Sequence, residues 1–404
     1  MEMLKLNAPP AIAPADLLAI IVEALNSSHA QTMKTFGVGQ GRGGLILINC
    51  HYAAFTGQSH YYDRAQEYLE QVLGQLDPHA YRSDFGSNYY QELAELGHLV
   101  GYLARHGHLA WDPEALLSTI DGILEQRLHH FLGHGNFERL NGALSAGTYF
   151  LRRAHASSTA RCSLDALLDA LQMLREGDTS TGYYWICRVI AEPRVYTGLS
   201  HGSAMIISFL TALHQTGHRT AECAELLHGA VKFLLRTRMD PDQFLSSFPL
   251  WRGKNELTPD LGLVYGDLGP AHALAQAALV LNRPDYLAEA VAVARRTTQR
   301  TSLATTYLHD ASVFYGASGT YLLYAGLYRL TGEAEFAAAA AFWLAQIPAR
   351  AMHGGPYLGF NSYFFSRSPP AQLGLNMGLT GIGLTLLQAI SHGEYALDEF
   401  TWLS

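Results

Sequence analysis

Apolar residues recur at spacings of three and four along most of the chain, with charged residues on the opposite face of each stretch. Examples are YDRAQEYLEQVLGQL, SLDALLDALQMLREG and DYLAEAVAVARRTT. Runs that alternate apolar and polar residues with a period of two are rare, so strands are not favoured. The pattern predicts an all-α protein.

Small residues open an apolar helix at seven points along the chain, which indicates an internal repeat. The openings are Gly41, Glu92, Gly142, Gly202, Gly266, Gly316 and Gly378. Their spacings are 51, 50, 60, 64, 50 and 62 residues, and each spacing leaves room for a second, amphipathic helix. The copy at Glu92 is the weakest because acidic residues occupy its glycine positions. The repeating unit is therefore predicted to be a helical hairpin.

A repeated helix pair buries its inner face only if neighbouring pairs stack, and closing the array into a ring removes both exposed ends. We therefore predict an (α/α)7 toroid, with an inner and an outer layer of helices, that forms one domain over residues 1–404. An open solenoid is the alternative architecture.

In a toroid, the residues that precede the openings would meet at one end, near the axis. Those residues are Gln40, Gln91, Asn141, His201, Tyr265, Tyr315 and Met377. Six of the seven can form hydrogen bonds, which favours a shared polar cavity, with helix capping and loop solvation as the alternative. His201 is a candidate acid or base because histidine exchanges protons near neutral pH. Glu138 is expected either to orient His201 or to be a solvated carboxylate.

The amino-acid composition limits the classes of partner that this chain is expected to bind. The chain is 49% hydrophobic and 15% charged with a net charge of −8, and it has no basic cluster, which disfavours nucleic acid and anionic membranes. No uncharged apolar run reaches about 18 residues, so membrane insertion is not expected. Four scattered cysteines suit a reducing compartment, and we predict a cytoplasmic protein.

The order of several motifs resembles the LanC-like family, which includes the lanthionine cyclases of lantibiotic biosynthesis. GLSHGSAM is similar to the family's GxxHGxxG, LVYGDLG to its WCYGxxG, and FYGASG to its CHGxxG, and the chain closes with GLNMGLTGIG. The resemblance implies a toroid whose cavity binds zinc through two cysteines and one histidine. Zinc would lower the pKa of a cysteine thiol in the peptide, and the resulting thiolate would add to a dehydroalanine or dehydrobutyrine.

This chain lacks all three of those ligands. Val264 stands at the position of the first cysteine, and Phe314 and Tyr315 stand at those of the second cysteine and the histidine. We therefore predict no metal at the family site and no cofactor.

The remaining candidate residues follow from the resemblance and from the ring. His201 matches the family's proposed acid or base, Tyr265 matches the tyrosine of WCYG, and Glu138 replaces an aspartate. We predict that the catalytic residues are His201, Tyr265, Glu138 and Tyr315. The predicted substrate-binding residues are Val264, Phe314, Asn141, Gln91, Arg252 and Asp260. Asp260 replaces a family arginine, for which Arg252 is expected to substitute.

The preferred function is a zinc-independent thioether cyclase that acts on a dehydrated precursor peptide, with a dehydratase of the same pathway as a further partner. A non-catalytic scaffold that binds the peptide is the alternative, so enzymatic activity itself is left open. The third possibility is a carbohydrate-active toroid that pairs Glu138 with Asp260, Asp267 or Asp310.

Overall fold

The computed structural model describes residues 12–27, 32–82, 87–190, 192–254, 260–351 and 356–403, apart from the side chains of 369–370. Within these residues the regular secondary structure is almost entirely α-helical. The helices are α1 Pro14–Leu25, α2 Arg42–Thr56, α3 His60–Leu73, α4 Tyr89–Arg105, α5 Glu114–Gly133, α6 Ala143–Arg153, α7 Ser158–Leu174, α8 Ser203–Gln215, α9 Thr220–Arg236, α10 Leu268–Val280, α11 Pro284–Thr297, α12 Leu303–Thr306, α13 Ala317–Thr331, α14 Ala334–Ala349, α15 Pro369–Leu373 and α16 Leu379–Ile390. Two short strands, β1 Glu176–Asp178 and β2 Gly182–Tyr184, form one antiparallel hairpin.

The predicted toroid is confirmed. The inner layer consists of α2, α4, α6, α8, α10, α13 and α16; each contacts the next, and α16 returns to contact α2. Each of the first six packs against the helix that follows it, whereas α16 packs against α1. The first helix of the chain thus completes the outer layer, and the ring has no open end.

A loop folds back over the start of most inner helices. In four repeats the first helical N–H donates to a carbonyl seven residues earlier, as Ala317 does to Asp310 at 3.1 Å and Ala143 to Asn136 at 2.9 Å. This close approach requires glycine in the first turn. A β-carbon at Gly319 would lie 1.7 Å from the carbonyl oxygen of Val313. The repeated small residues therefore hold the loops against the inner helices.

The second repeat begins earlier than the sequence predicts. Helix α4 starts at Tyr89, because the Asn88 side chain caps it by accepting the N–H of Gln91 at 3.0 Å. Glu92 therefore lies within the helix. Its carboxylate accepts the N–H groups of Phe36 and Gly37, at 2.8 and 3.0 Å. The acid that replaces glycine thus ties α4 to the loop of the first repeat.

Residues 398–403 lie inside the ring of inner helices. Glu399 accepts hydrogen bonds from His98 of α4 at 3.1 Å and from Arg105 at 2.9 Å, and Asp398 pairs with Arg329 of α13. The ring of Trp402 packs against Phe314, with centroids 4.6 Å apart. This segment therefore contacts α4, α10 and α13 from within the ring. Among the described residues, no helix is both long and apolar enough to cross a bilayer.

Candidate functional site

The loops that precede the inner helices meet around the axis at one end of the toroid. A series of backbone hydrogen bonds links five of the seven loops. In each bond an N–H group of one loop donates to a carbonyl oxygen of the next loop. The bonds run from Ser200 to Val264, Val264 to Phe314, Phe314 to Asn376 and Asn376 to Gly39, at 3.1, 3.3, 2.9 and 2.9 Å. The residues next to this chain of bonds are therefore brought together although they lie far apart in sequence.

His201 and Glu138 form a hydrogen-bonded pair at this end. Nδ1 of His201 lies 2.6 Å from Oε2 of Glu138, and the histidine side chain is 22% exposed while the carboxylate is buried. The loop before α6 fixes Glu138, whose N–H donates to Oδ1 of Asn136 at 3.0 Å. The backbone of His201 is left-handed, with φ of 64°, which turns its side chain out of the helix start. A carboxylate on Nδ1 leaves Nε2 free to accept a proton.

Cys187 is the third member of this cluster, and sequence reasoning missed it. Its Sγ donates to Oε1 of Glu138 at 3.1 Å. Cys187 follows β2 and is held by paired backbone bonds with Arg194, at 2.8 and 3.1 Å. Burial, together with the negative charge of Glu138, raises the pKa of the Cys187 thiol to about 12. No spacing rule connects Cys187 to either partner; only the fold places it there.

Aromatic rings continue from His201 across the axis. The ring of Tyr265 lies 6.4 Å from that of His201, and the ring of Tyr315 lies 6.4 Å from that of Tyr265. Phe364 follows at 4.8 Å from Tyr315. Burial raises the pKa of Tyr265 to about 12 and that of Tyr315 further still, so both phenols keep their protons at neutral pH. They remain hydrogen-bond donors.

A pocket of about 590 Å³ opens beside the pair of His201 and Glu138. Asn141 also lines it, and its side-chain oxygen accepts from Asn88 at 2.7 Å. The volume lies within the range of pockets that hold drug-sized ligands, about 300–1,000 Å³. The predicted residues His201, Glu138 and Asn141 thus share one pocket that a few residues of a peptide would fill.

Other predicted residues lie elsewhere. The side chain of Gln91 is buried and donates to Glu95 at 2.9 Å. Arg252 is exposed, with its guanidinium 5.2 Å from the ring centre of Tyr184. In both cases the side chain contacts a nearby residue that is not one of the other predicted site residues. Substrate binding by Gln91 and Arg252 stays a prediction.

The three aspartates differ in their surroundings. Asp267 is buried, pairs with Arg300 at 3.2 Å and accepts two backbone N–H groups. Asp310 accepts from Ser312 and from the N–H of Tyr363, at 2.9 and 2.8 Å. Asp267 and Asp310 therefore stabilise the loops whose N–H groups they accept. Asp260 accepts the N–H of Gly262 at 2.7 Å, and burial raises its pKa to about 7.

The residues at the family's zinc position do not fit a metal. Val264 and Phe314 are each 2% exposed and carry only hydrocarbon, which offers no lone pair to a cation. Phe314 packs against Trp402, and the N–H of Val264 donates to the carbonyl of Phe314. No step of the chemistry can be assigned to a zinc ion at that position.

These features define a closed helical toroid with an acid–base pair beside a pocket at one end. The family model described as "Lanthionine synthetase C-like protein" matches residues 32–401, and the chain belongs to this family. Among solved structures, "Nisin cyclase" is similar in fold, with a TM-score of 0.74 and 13% sequence identity over 96% of each chain. No curated protein sequence matches the chain. The predicted family is thus confirmed.

Proposed function

We propose that this protein closes thioether rings in a dehydrated precursor peptide without zinc at the family's metal position. The observation that carries the proposal is the 2.6 Å contact between His201 and Glu138 beside the pocket of about 590 Å³. Membership of the lanthionine synthetase C-like family, and the fold shared with a nisin cyclase, support the substrate class.

His201 acts first as a base. A peptide cysteine with a pKa of about 8.5 is only a few per cent ionised at neutral pH, so its proton must be removed. Nε2 of His201 accepts that proton, and Glu138 stabilises the imidazolium through Nδ1. The thiolate sulfur then bonds to the β-carbon of the dehydro residue, and the π electrons shift to the carbonyl oxygen as an enolate.

The enolate is stabilised and then protonated. Tyr265 and Tyr315 supply phenolic donors to the enolate oxygen, since both keep their protons. The imidazolium of His201 returns its proton to the α-carbon, which regenerates the neutral base. Confinement in the pocket supplies the effective concentration that offsets the missing Lewis acid.

A peptide-binding scaffold is the second candidate, and a group of exposed aromatic residues next to Tyr315 favours it. Tyr307, Tyr363 and Phe364 are between 42% and 50% exposed, and Tyr363 stacks on His309 with centroids 3.8 Å apart. These aromatic side chains would bind a peptide whether or not the protein forms thioether rings in it.

The deciding experiment incubates chelator-treated protein with a dehydrated peptide that contains cysteine, and follows loss of the free thiol by alkylation and mass spectrometry. His201→Asn removes the base, and asparagine tolerates the left-handed backbone. His392→Asn is the matched control, because His392 is also left-handed, with φ of 53°, but follows the end of α16. Ring closure lost only in His201→Asn supports the cyclase, whereas binding without ring closure in the unmodified protein supports the scaffold.

A further inference from the structure

Three potential metal ligands lie together beside the pocket of about 590 Å³. The candidate atoms of Glu138, Cys187 and His201 are all within 4.8 Å of one another. They come from three separate segments. Glu138 lies in the loop before α6, Cys187 in the segment that follows β2, and His201 in the loop before α8. Within the described residues, this is the one group of three or more such side chains with ligand atoms this close.

The donor set suits zinc. Zinc binds thiolate sulfur at about 2.3 Å and imidazole nitrogen or carboxylate oxygen at about 2.0–2.2 Å, so the edges of its tetrahedron are about 3.3–3.6 Å. The existing distances from Glu138 are 3.1 Å to Sγ of Cys187 and 2.6 Å to Nδ1 of His201. These two contacts use different oxygens of the carboxylate, and one ligand atom from each of the three residues lies within 4.8 Å of the others, so shifts of up to about 1.5 Å would bring the donors to the edges of the tetrahedron.

There is space for an ion at this point. A narrow cavity of about 20 Å³ is lined by all three residues, enough for one occupant the size of a water molecule. Both carboxylate oxygens of Glu138 are already directed at the other two donors. Cys187 is held on both sides by its backbone bonds to Arg194. The cluster is thus assembled before any ion binds.

We infer that Glu138, Cys187 and His201 form a zinc site, separate from the position occupied by Val264, Phe314 and Tyr315. Three protein ligands leave a fourth position for water. An ion on Nδ1 fixes the proton of His201 on Nε2, so the same histidine cannot then act as a base. Zinc at this site therefore inhibits the ring closure described under the proposed function, on which this consequence rests.

The test measures binding without peptide. Zinc is titrated into metal-free protein against a chromophoric chelator, and cobalt is added separately to look for a thiolate-to-cobalt charge-transfer band in the near ultraviolet. We expect one zinc per chain and a clear cobalt band. In Cys187→Ser, which keeps a hydrogen bond to Glu138, the band should disappear and zinc affinity should fall at least about 10-fold.

Cys223→Ser is the matched control, because Cys223 is also buried and donates to a backbone carbonyl, that of His218 at 3.6 Å, but lies on α9. Its zinc affinity and cobalt band should equal those of the unmodified protein. Failure of metal-free protein to bind zinc, or equal affinity in Cys187→Ser, overturns the inference. If the protein binds zinc but its metal-free form closes no rings, the proposed function alone is overturned.

Discussion

Glu138 and His201 are 63 residues apart in sequence, yet Oε2 of one lies 2.6 Å from Nδ1 of the other. The contact joins the loops before α6 and α8, which are neighbours in the inner ring. Glu138 also accepts the thiol of Cys187 through its second oxygen. One buried carboxylate therefore orients both the proposed base and the only cysteine of the site.

Glu138→Gln should slow ring closure by about 10²–10⁴-fold. The amide can still accept a hydrogen bond, but it cannot stabilise the imidazolium that forms when His201 takes the thiol proton. Steady-state kinetics with a dehydrated peptide would show a fall in kcat with little change in KM. Asp310→Asn is a comparison in which a loop-bracing carboxylate is changed; a similar fall there would mean that general loop damage explains both effects.

Tyr265→Phe should lower kcat by about 10²-fold, because a half-buried phenol that keeps its proton is lost from the enolate site. Tyr315→Phe should have an effect in the same direction. Tyr328→Phe, on the exposed face of α13, should leave kcat unchanged. If Tyr265→Phe raised only KM, the phenol would bind substrate without stabilising the enolate.

Glu95→Gln should flatten the pH dependence of stability. Glu95 faces the lumen, and burial raises its pKa to about 7, against about 4.3 in the unfolded chain. The native state therefore holds this proton more tightly, so the stabilisation is complete below about pH 4 and is lost as the pH rises through 7. Chemical denaturation at pH 4.5 and pH 8 should show a decrease in stability that is smaller in the variant by about 1–3 kcal/mol, because Asp260, whose pKa burial also raises to about 7, still contributes.

The control for this effect is Glu70→Gln, on the exposed face of α3. Its stability should vary with pH as that of the unmodified protein does. If Glu95→Gln retained the full pH dependence, another buried group would have to be responsible.

Gly319→Ala should destabilise the fold by at least about 1–3 kcal/mol, since the added methyl group would meet the carbonyl oxygen of Val313. Gly101→Ala is the matched comparison within an inner helix. Its β-carbon would meet nothing closer than Arg105 at 3.7 Å, so the change should be neutral or stabilising by up to about 1 kcal/mol. Equal denaturation midpoints for the two variants would show that the loop does not depend on this contact.

Most of the fold could be predicted from the sequence because its signals are local. Apolar spacing identifies the helices, and small residues such as those at Gly316 and Gly319 mark where a loop must approach an inner helix. The second repeat shows the limit of that signal. A capping asparagine at residue 88 started α4 three residues before the expected opening, and the acids at 92 and 95 bonded to a different repeat.

The candidate site was predictable only in part. The pairing of His201 with Glu138 was predicted as one of two alternatives, because both residues lie near repeat openings. Cys187 was not, since it lies after a hairpin that belongs to no repeat and no local pattern assigns it a direction. The exposure of the aromatic side chains at 363 and 364 could not be predicted either, because hydrophobicity alone does not distinguish a buried ring from an exposed one.

The sequence by itself determined the helical repeat, the family and the absence of zinc ligands at residues 264, 314 and 315, since each of these depends on residue type and spacing. Only the tertiary structure decided which α-helix closes the ring, that residues 398–403 occupy the lumen, and that a thiol joins the acid–base pair. The physical reason is that these features depend on distances between segments more than 45 residues apart, and such distances follow from the packing of the whole ring.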